Sequence, residues 1–241
     1  MLLTAYDRPH HLATVLDAWA QVRGLHDWRL RVALEPGPAR ATVEGLVEAF
    51  AARTAHPATE VVVNPRRLGV LENPYVHLDA LFGAGCGFVV RAEDDLVVAD
   101  DVLELFDHAA AAYADDPAVA TVHAFSRAPA GGASDALVRA PEFCPWVFGT
   151  WRDRWDAVLG PTWDRDYSTW NSEPGFETGF DWNLNTRVFP ARGLVSVSPV
   201  VSRVQNIGAV GEHGTPEDLE TAASFVARQE RQAYRETGLP G

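Results

Sequence analysis

Gly87-Phe88-Val89-Val90-Arg91-Ala92-Glu93-Asp94-Asp95-Leu96-Val97-Val98 joins a short apolar run to three consecutive carboxylates. Such a run, compact and without alternation, reads as a β-strand covered on both faces, as parallel sheets require. The triplet then stands at the carboxyl end of that strand, where open α/β sheets collect their ligands. Three adjacent carboxylates repel one another unless cations or hydrogen-bond donors neutralise them. A hard divalent ion carrying a diphosphate does this, because Mg2+ and Mn2+ take oxygen ligands and keep positions open for phosphate. A solvated acidic turn, with an aspartate capping the next helix, is the plainer reading of the same residues.

Working outward, the chain to residue 127 alternates strand-like and helix-like segments. Met1 to Tyr6 opens as a strand, and residues 9 to 23 place Leu12, Val15, Leu16 and Trp19 at helical spacing, with Pro9 in the first turn. Leu30 to Leu34 and Glu60 to Val63 read as strands, separated by a helix that runs to about Arg53. The spacing predicts a helix from Glu72 to Leu81, a helix opened by Asp100 and Asp101, and a strand from Ala118 to Phe125. This rhythm predicts an α/β domain with a mainly parallel twisted sheet and helices on both faces. Residues 128–241 form the second half of the same domain. Six of the eight tryptophans fall between Trp146 and Trp182, a strand is expected over Leu194 to Ser202, and a polar helix over 216 to 237.

Composition narrows the classes. The 241 residues carry a net charge of -13, and all 20 basic residues are arginine. So acidic a chain lacks the footprint of a protein that binds long nucleic acid, and the absence of lysine removes Schiff-base and lysine P-loop chemistry. Two cysteines, Cys86 and Cys144, make neither a disulfide framework nor a zinc site. With no transmembrane run and no leader in the sequence, the expected location is the cytoplasm.

Three motifs in order resemble one family. The segment Arg91 to Val98 looks like the metal-binding segment of GT-A (Rossmann-like) glycosyltransferases, above all bacterial relatives of the α-mannoside β-1,2-N-acetylglucosaminyltransferase family. Thr4-Ala5-Tyr6-Asp7-Arg8-Pro9 is similar to the first nucleotide-binding turn of that fold. Ser202-Arg203-Val204-Gln205-Asn206-Ile207-Gly208, with His213 beyond it, looks like a C-terminal signature of bacterial members. The resemblance implies that Asp95 coordinates a divalent ion, Mn2+ or Mg2+, that bridges the donor diphosphate. It places Asp94 at the ribose or the metal's water shell and Glu93 at the donor sugar. Thr4, Tyr6 and Arg8 approach the nucleotide, Glu35 takes the position that meets the base, and Arg66 or Arg67 pairs with the diphosphate. His213, in a Gly-Glu-His-Gly loop, is a second candidate metal ligand or simply an exposed histidine.

Inverting sugar transfer needs a carboxylate to take the acceptor proton. Asp181, in Gly179-Phe180-Asp181-Trp182, resembles the family's acidic residue beside tryptophan, and Glu177 is the competing choice. A capping aspartate at a helix start is the bland alternative for Asp181. Trp151, Trp170 and Trp182 are candidate acceptor walls, although Trp151 and Trp155, four apart, also fit a helix-packing pair. Residues 148–152 bear some likeness to the family's acceptor-side helix.

The expectation is a metal-dependent, inverting glycosyltransferase using a nucleotide-diphosphate sugar, a UDP-sugar favoured, and a small or saccharide acceptor. A nucleotidyltransferase of related fold would carry a glycine-rich first turn, which Tyr6-Asp7-Arg8-Pro9 lacks. A catalytically silent nucleotide- or glycan-binding protein is the other alternative.

Overall fold

The computed structural model describes residues 1–126, 133–165, 179–208 and 234–237. In chain order, β1 (Leu2–Ala5), α1 (Pro9–Trp19), β2 (Leu30–Leu34), α2 (Arg40–Thr54), β3 (Thr59–Val63), α3 (Gly69–Gly83) and β4 (Phe88–Glu93) follow the expected alternation. Next come β5 (Leu96–Val98), α4 (Val102–Ala112), β6 (Val119–His123), β7 (Ala136–Ala140), β8 (Phe148–Trp151), β9 (Val195–Pro199), β10 (Val204–Asn206) and β11 (Arg235–Glu236). Two further helical stretches, 152–162 and 180–192, each contain a π-helical turn, at Trp155–Leu159 and at Leu184–Val188.

Nine strands form one sheet in the order β11-β7-β9-β6-β8-β4-β1-β2-β3. β1 lies parallel between β2 and β4, and β3 extends that parallel set. β8 breaks it, running antiparallel to both β4 and β6. A separate antiparallel ribbon pairs β5 with β10.

Successive side chains of the central strands go to opposite faces, as the pleat dictates. Leu3, Val32, Leu34 and Val90 join the core under α1, α2 and α4, whereas Leu2, Ala33 and Val89 join a second core under α3 and the stretches 152–162 and 180–192. This two-sided burial is why the strands read as continuous apolar runs.

Several expectations need correction. Residues 148–151 are a strand and not an acceptor-side helix. Gly149 permits this, since a Cβ there would lie 2.4 Å from the Phe88 ring. Helix α3 begins at Gly69, earlier than Glu72, because the Glu35 carboxylate accepts from the Leu68 and Gly69 N–H groups at its start. At the end of the chain, Arg235–Glu236 pairs with β7 where a helix was expected to run on, and the preceding residues of that helix lie outside the described ones. Among the described residues no helix is long and apolar enough to cross a membrane.

Candidate active site

The carboxyl ends of β1, β2 and β4 lie side by side, so the residues leaving them are brought together by topology alone. From β1, the Tyr6 N–H donates to Asp94 Oδ2 at 3.1 Å. One Arg8 nitrogen donates to Asp95 Oδ2 at 2.7 Å, and another pairs with Asp94 Oδ1. Thr4 is buried and its hydroxyl faces the Ala92 carbonyl on β4. Asp7 accepts from the Ala39 N–H at 2.6 Å and so ties the first turn to the start of α2.

The third side of the site comes from the ribbon. β10 pairs with β5, and the Ile207 N–H donates to the Asp95 carbonyl at 2.9 Å. Gly208 then packs so closely that a Cβ would lie 2.4 Å from Asp95 Oδ2. Glycine is needed here for close approach. The first turn, the acidic turn and the Asn206-Ile207-Gly208 segment, distant in sequence, thus meet at Asp95.

Charge in the triplet is partly answered from within the chain. Arg91, fully buried in β4, pairs with Glu93 and donates to the Pro145 carbonyl at 3.1 Å. Burial pushes the Glu93 carboxyl above its ordinary value, against the pull of Arg91 and reinforced by Asp95 and Asp94. Asp94 is likewise pushed up by burial, which Arg8 and the Tyr6 N–H oppose. Burial disfavours the charge on Arg8, yet Asp94 and Asp95 outweigh it and hold the guanidinium firmly protonated.

Other sequence candidates take different places. Glu35 is buried, and both its carboxylate oxygens accept from the backbone N–H groups that open α3, so it caps that helix. Arg66 is exposed and paired with Glu72, while the Arg67 guanidinium sits 4.6 Å from the centre of the Tyr6 ring. Trp151 is buried, with its indole N–H on the Ala110 carbonyl and its ring edge-on to Phe88. It is a core side chain and no acceptor wall. Nor does it pair with Trp155: the two join cores on opposite faces of the sheet.

Asp181 is half-buried in the first turn of a helical stretch that an aromatic platform holds. Phe180 beside it stacks on Trp163 at 3.9 Å and 7°, and the Asn183 amide donates to the Thr162 carbonyl. Trp182 is half-buried, with the Arg187 guanidinium 4.7 Å from its ring centre. Glu177, Trp170 and His213 lie outside the described residues.

Arg91 and Gly208 fall within the sequence motifs, which give neither a role. An arginine inside an apolar run was the available signal for the first. The second closes the C-terminal signature, but the reason for a glycine there comes from Asp95, over a hundred residues away.

Among solved structures, the chain is similar to the mannosyltransferase PcManGT from Pyrobaculum calidifontis, in complex with GDP-Man and Mn2+. The TM-score is 0.55 at 17% identity, over 82% of this chain and 53% of that one. It is similar also to GalNAc-T7, in complex with UDP, GalNAc and Mn2+, with a TM-score of 0.58 at 9% identity, over 85% of this chain and 42% of that one. The fold is GT-A. The chain spans about half the length of these GT-A structures. No protein-family model matches the sequence, and no curated protein does.

Whether a GT-A metal would suit this chain can be tested on the residues. Among those described, no group of three or more His, Cys, Asp and Glu is arranged to hold an ion. A cage made by protein alone is therefore not present there. Asp94 and Asp95 do offer hard carboxylate oxygens, and Gly208 brings no side chain of its own against Asp95. This set fits an Mg2+ or Mn2+ ion that brings phosphate and water as its remaining ligands.

Proposed function

We propose that the protein is a metal-dependent, inverting glycosyltransferase that moves a sugar from a nucleotide-diphosphate sugar, a UDP-sugar favoured, to a hydroxyl of a small or saccharide acceptor in the cytoplasm. The observation that carries this reading is the meeting of Tyr6, Arg8, Asp94, Asp95 and Gly208 at the carboxyl ends of β1 and β4. Asp95, with Asp94 behind it, would hold Mn2+ or Mg2+, and His213 is the candidate for a second protein ligand. When bound, the ion offsets negative charge on the departing diphosphate. Hydrogen-bonding of the nucleotide falls to the Tyr6–Arg8 turn, and Arg67, whose guanidinium lies over the Tyr6 ring, is the proposed partner of the phosphate oxygens, with Arg66 the alternative.

Asp181 is the proposed base, taking the acceptor hydroxyl proton onto its carboxylate, and Glu177 is the alternative. Placement of Asp181 next to the stacked Phe180–Trp163 pair supports the choice, because a base must be held still to act by proximity. Trp182 and Trp170 would line the acceptor side, where flat rings suit the C–H faces of a pyranose.

Thermal unfolding with a panel of nucleoside diphosphates, each with and without MnCl2, tests the reading. A ligand at 100 times its Kd adds about 2.7 kcal/mol of stability. Stabilisation by one nucleotide that depends on manganese is expected. No shift with any nucleotide in a folded sample would remove the basis of the assignment.

A further inference from the structure

Arg8 occupies the place from which a cation would reach the acidic turn. Its guanidinium spans the turn, one nitrogen on Asp95 Oδ2 and another on Asp94 Oδ1. The Arg8 side chain is 27% exposed, while those of Asp94 and Asp95 are 4% and 12% exposed. Arg8 therefore covers the two carboxylates from the solvent side.

Only the side chain need move to uncover them. The Arg8 backbone is fixed where its carbonyl accepts from the Leu12 N–H at 3.0 Å, with Pro9 opening α1. Asp94 Oδ2 accepts from the Tyr6 N–H, a backbone bond that does not depend on Arg8. The Arg8 guanidinium reaches solvent, but Asp94 and Asp95 are nearly buried, so the pair exchanges only when an arriving cation neutralises them in its place.

We propose that Arg8 is a displaceable counter-ion that excludes a free divalent cation from Asp94 and Asp95 and yields when the cation arrives on a nucleoside diphosphate. The proposal rests on the metal–diphosphate reading above. A lone ion must displace the guanidinium and leave it without an anionic partner. An ion carried by a diphosphate supplies that partner in the same event, since phosphate oxygens accept bidentate contacts as carboxylates do. Arg8 thereby couples the two ligands. By reciprocity, nucleotide raises the affinity for metal by the factor that metal raises the affinity for nucleotide.

The test is manganese binding itself, read from the free-ion electron paramagnetic resonance signal as MnCl2 is titrated alone and with UDP or GDP. Wild type should bind MnCl2 alone weakly and far more tightly with nucleotide. Arg8→Gln should bind MnCl2 alone about tenfold more tightly than wild type and lose most of the gain from nucleotide. Arg8→Lys keeps the charge but cannot span both carboxylates, so it should fall between the two. It also covers the case in which Arg8→Gln folds poorly by thermal melt. Arg40→Gln, removing an equal charge from the exposed Arg40–Glu44 helix pair, should match wild type.

If Arg8→Gln binds MnCl2 alone no more tightly than wild type, while wild type does bind it with nucleotide, the counter-ion role is overturned and the metal site stands. If wild type binds no manganese even with nucleotide, both fall. An increase in Arg40→Gln equal to that in Arg8→Gln would trace the effect to net charge and also overturn the proposal.

Discussion

Arg8 on Asp94 and Asp95, and Arg203 on Asp101, are guanidinium–carboxylate pairs set to either side of the short strand β5. Neither Arg203 nor Asp101 has any side-chain exposure, and Arg203 Nε lies 3.0 Å from Asp101 Oδ2. The other Arg203 nitrogens donate to the carbonyls of Val201 and Ser134, and the Arg203 backbone joins Ala99 to Ala124. Arg8, itself partly exposed, instead spends its nitrogens on two nearly buried carboxylates. The same chemistry thus serves two ends. Full burial and backbone partners make Arg203–Asp101 a fixed joint that sets β10 on β5. Partial exposure and purely anionic partners leave the Arg8 pair open to exchange for a ligand.

The largest effect should come from breaking the joint. Arg203→Ala leaves Asp101 charged and buried and should cost about 3–5 kcal/mol in urea unfolding. A loss below about 1 kcal/mol would erase the distinction between the pairs. Asp95→Ala tests the open side. Sugar transfer should fall at least about a hundredfold, about 2.7 kcal/mol of barrier, while the urea midpoint moves little; unchanged turnover would sink the metal-ligand role.

His123 shows a third way to bury a titratable group, by losing its charge. Burial pushes its pKa down to about 3, and its Nε2 accepts from the Cys144 N–H at 3.0 Å. Between pH 6.5 and 3 the unfolded chain binds a proton that the folded one refuses, so stability falls as pH falls, by up to about 1.4 kcal/mol per unit. His123→Asn should remove that slope, about 2 kcal/mol between pH 6.5 and 5. Parallel stability–pH curves for the two proteins would refute it. Gly208→Ala should weaken manganese-dependent nucleotide binding about tenfold, about 1.4 kcal/mol, because its Cβ would press on Asp95 Oδ2. Affinity equal to wild type in calorimetry would show that Asp95 need not stay where it is. The smallest effect is expected from Arg40→Gln at its exposed helix pair, under about 0.5 kcal/mol in the same urea assay.

Legibility in the sequence divides along similar lines. Strands covered on both faces, such as Leu30–Leu34 and Phe88–Glu93, were readable because burial leaves a mostly apolar run, interrupted only by Arg31 in the first and by Arg91 and the terminal Glu93 in the second. In the sequence, Tyr6, Arg8, Asp94 and Asp95 are grouped only by their resemblance to GT-A motifs; the pairing of β1 with β4 brings them to neighbouring strand ends. What was not legible depends on partners far along the chain. Glu35 reads as a free carboxylate at a strand end until Leu68 and Gly69 arrive to take it. Phe148-Gly149-Thr150-Trp151 has no period of its own and becomes a strand only in the slot between β4 and β6. Spacing of four between Trp151 and Trp155 suggests one helix face, but a strand ends between them and sends the rings apart.

That slot has a consequence for assembly. Of the strands in the main sheet, β4, β1, β2 and β3 lie on one side of β8, and β6, β9, β7 and β11 on the other. β8 is the splice between two sub-sheets, although six of the other strands precede it in the chain. On the ribosome, the first four strands can pair as they emerge, whereas β6 must wait without its place in the sheet until Trp151 has emerged too. The chain therefore carries an unpaired apolar strand through part of its own synthesis, and its solubility then rests on how soon four residues close the gap.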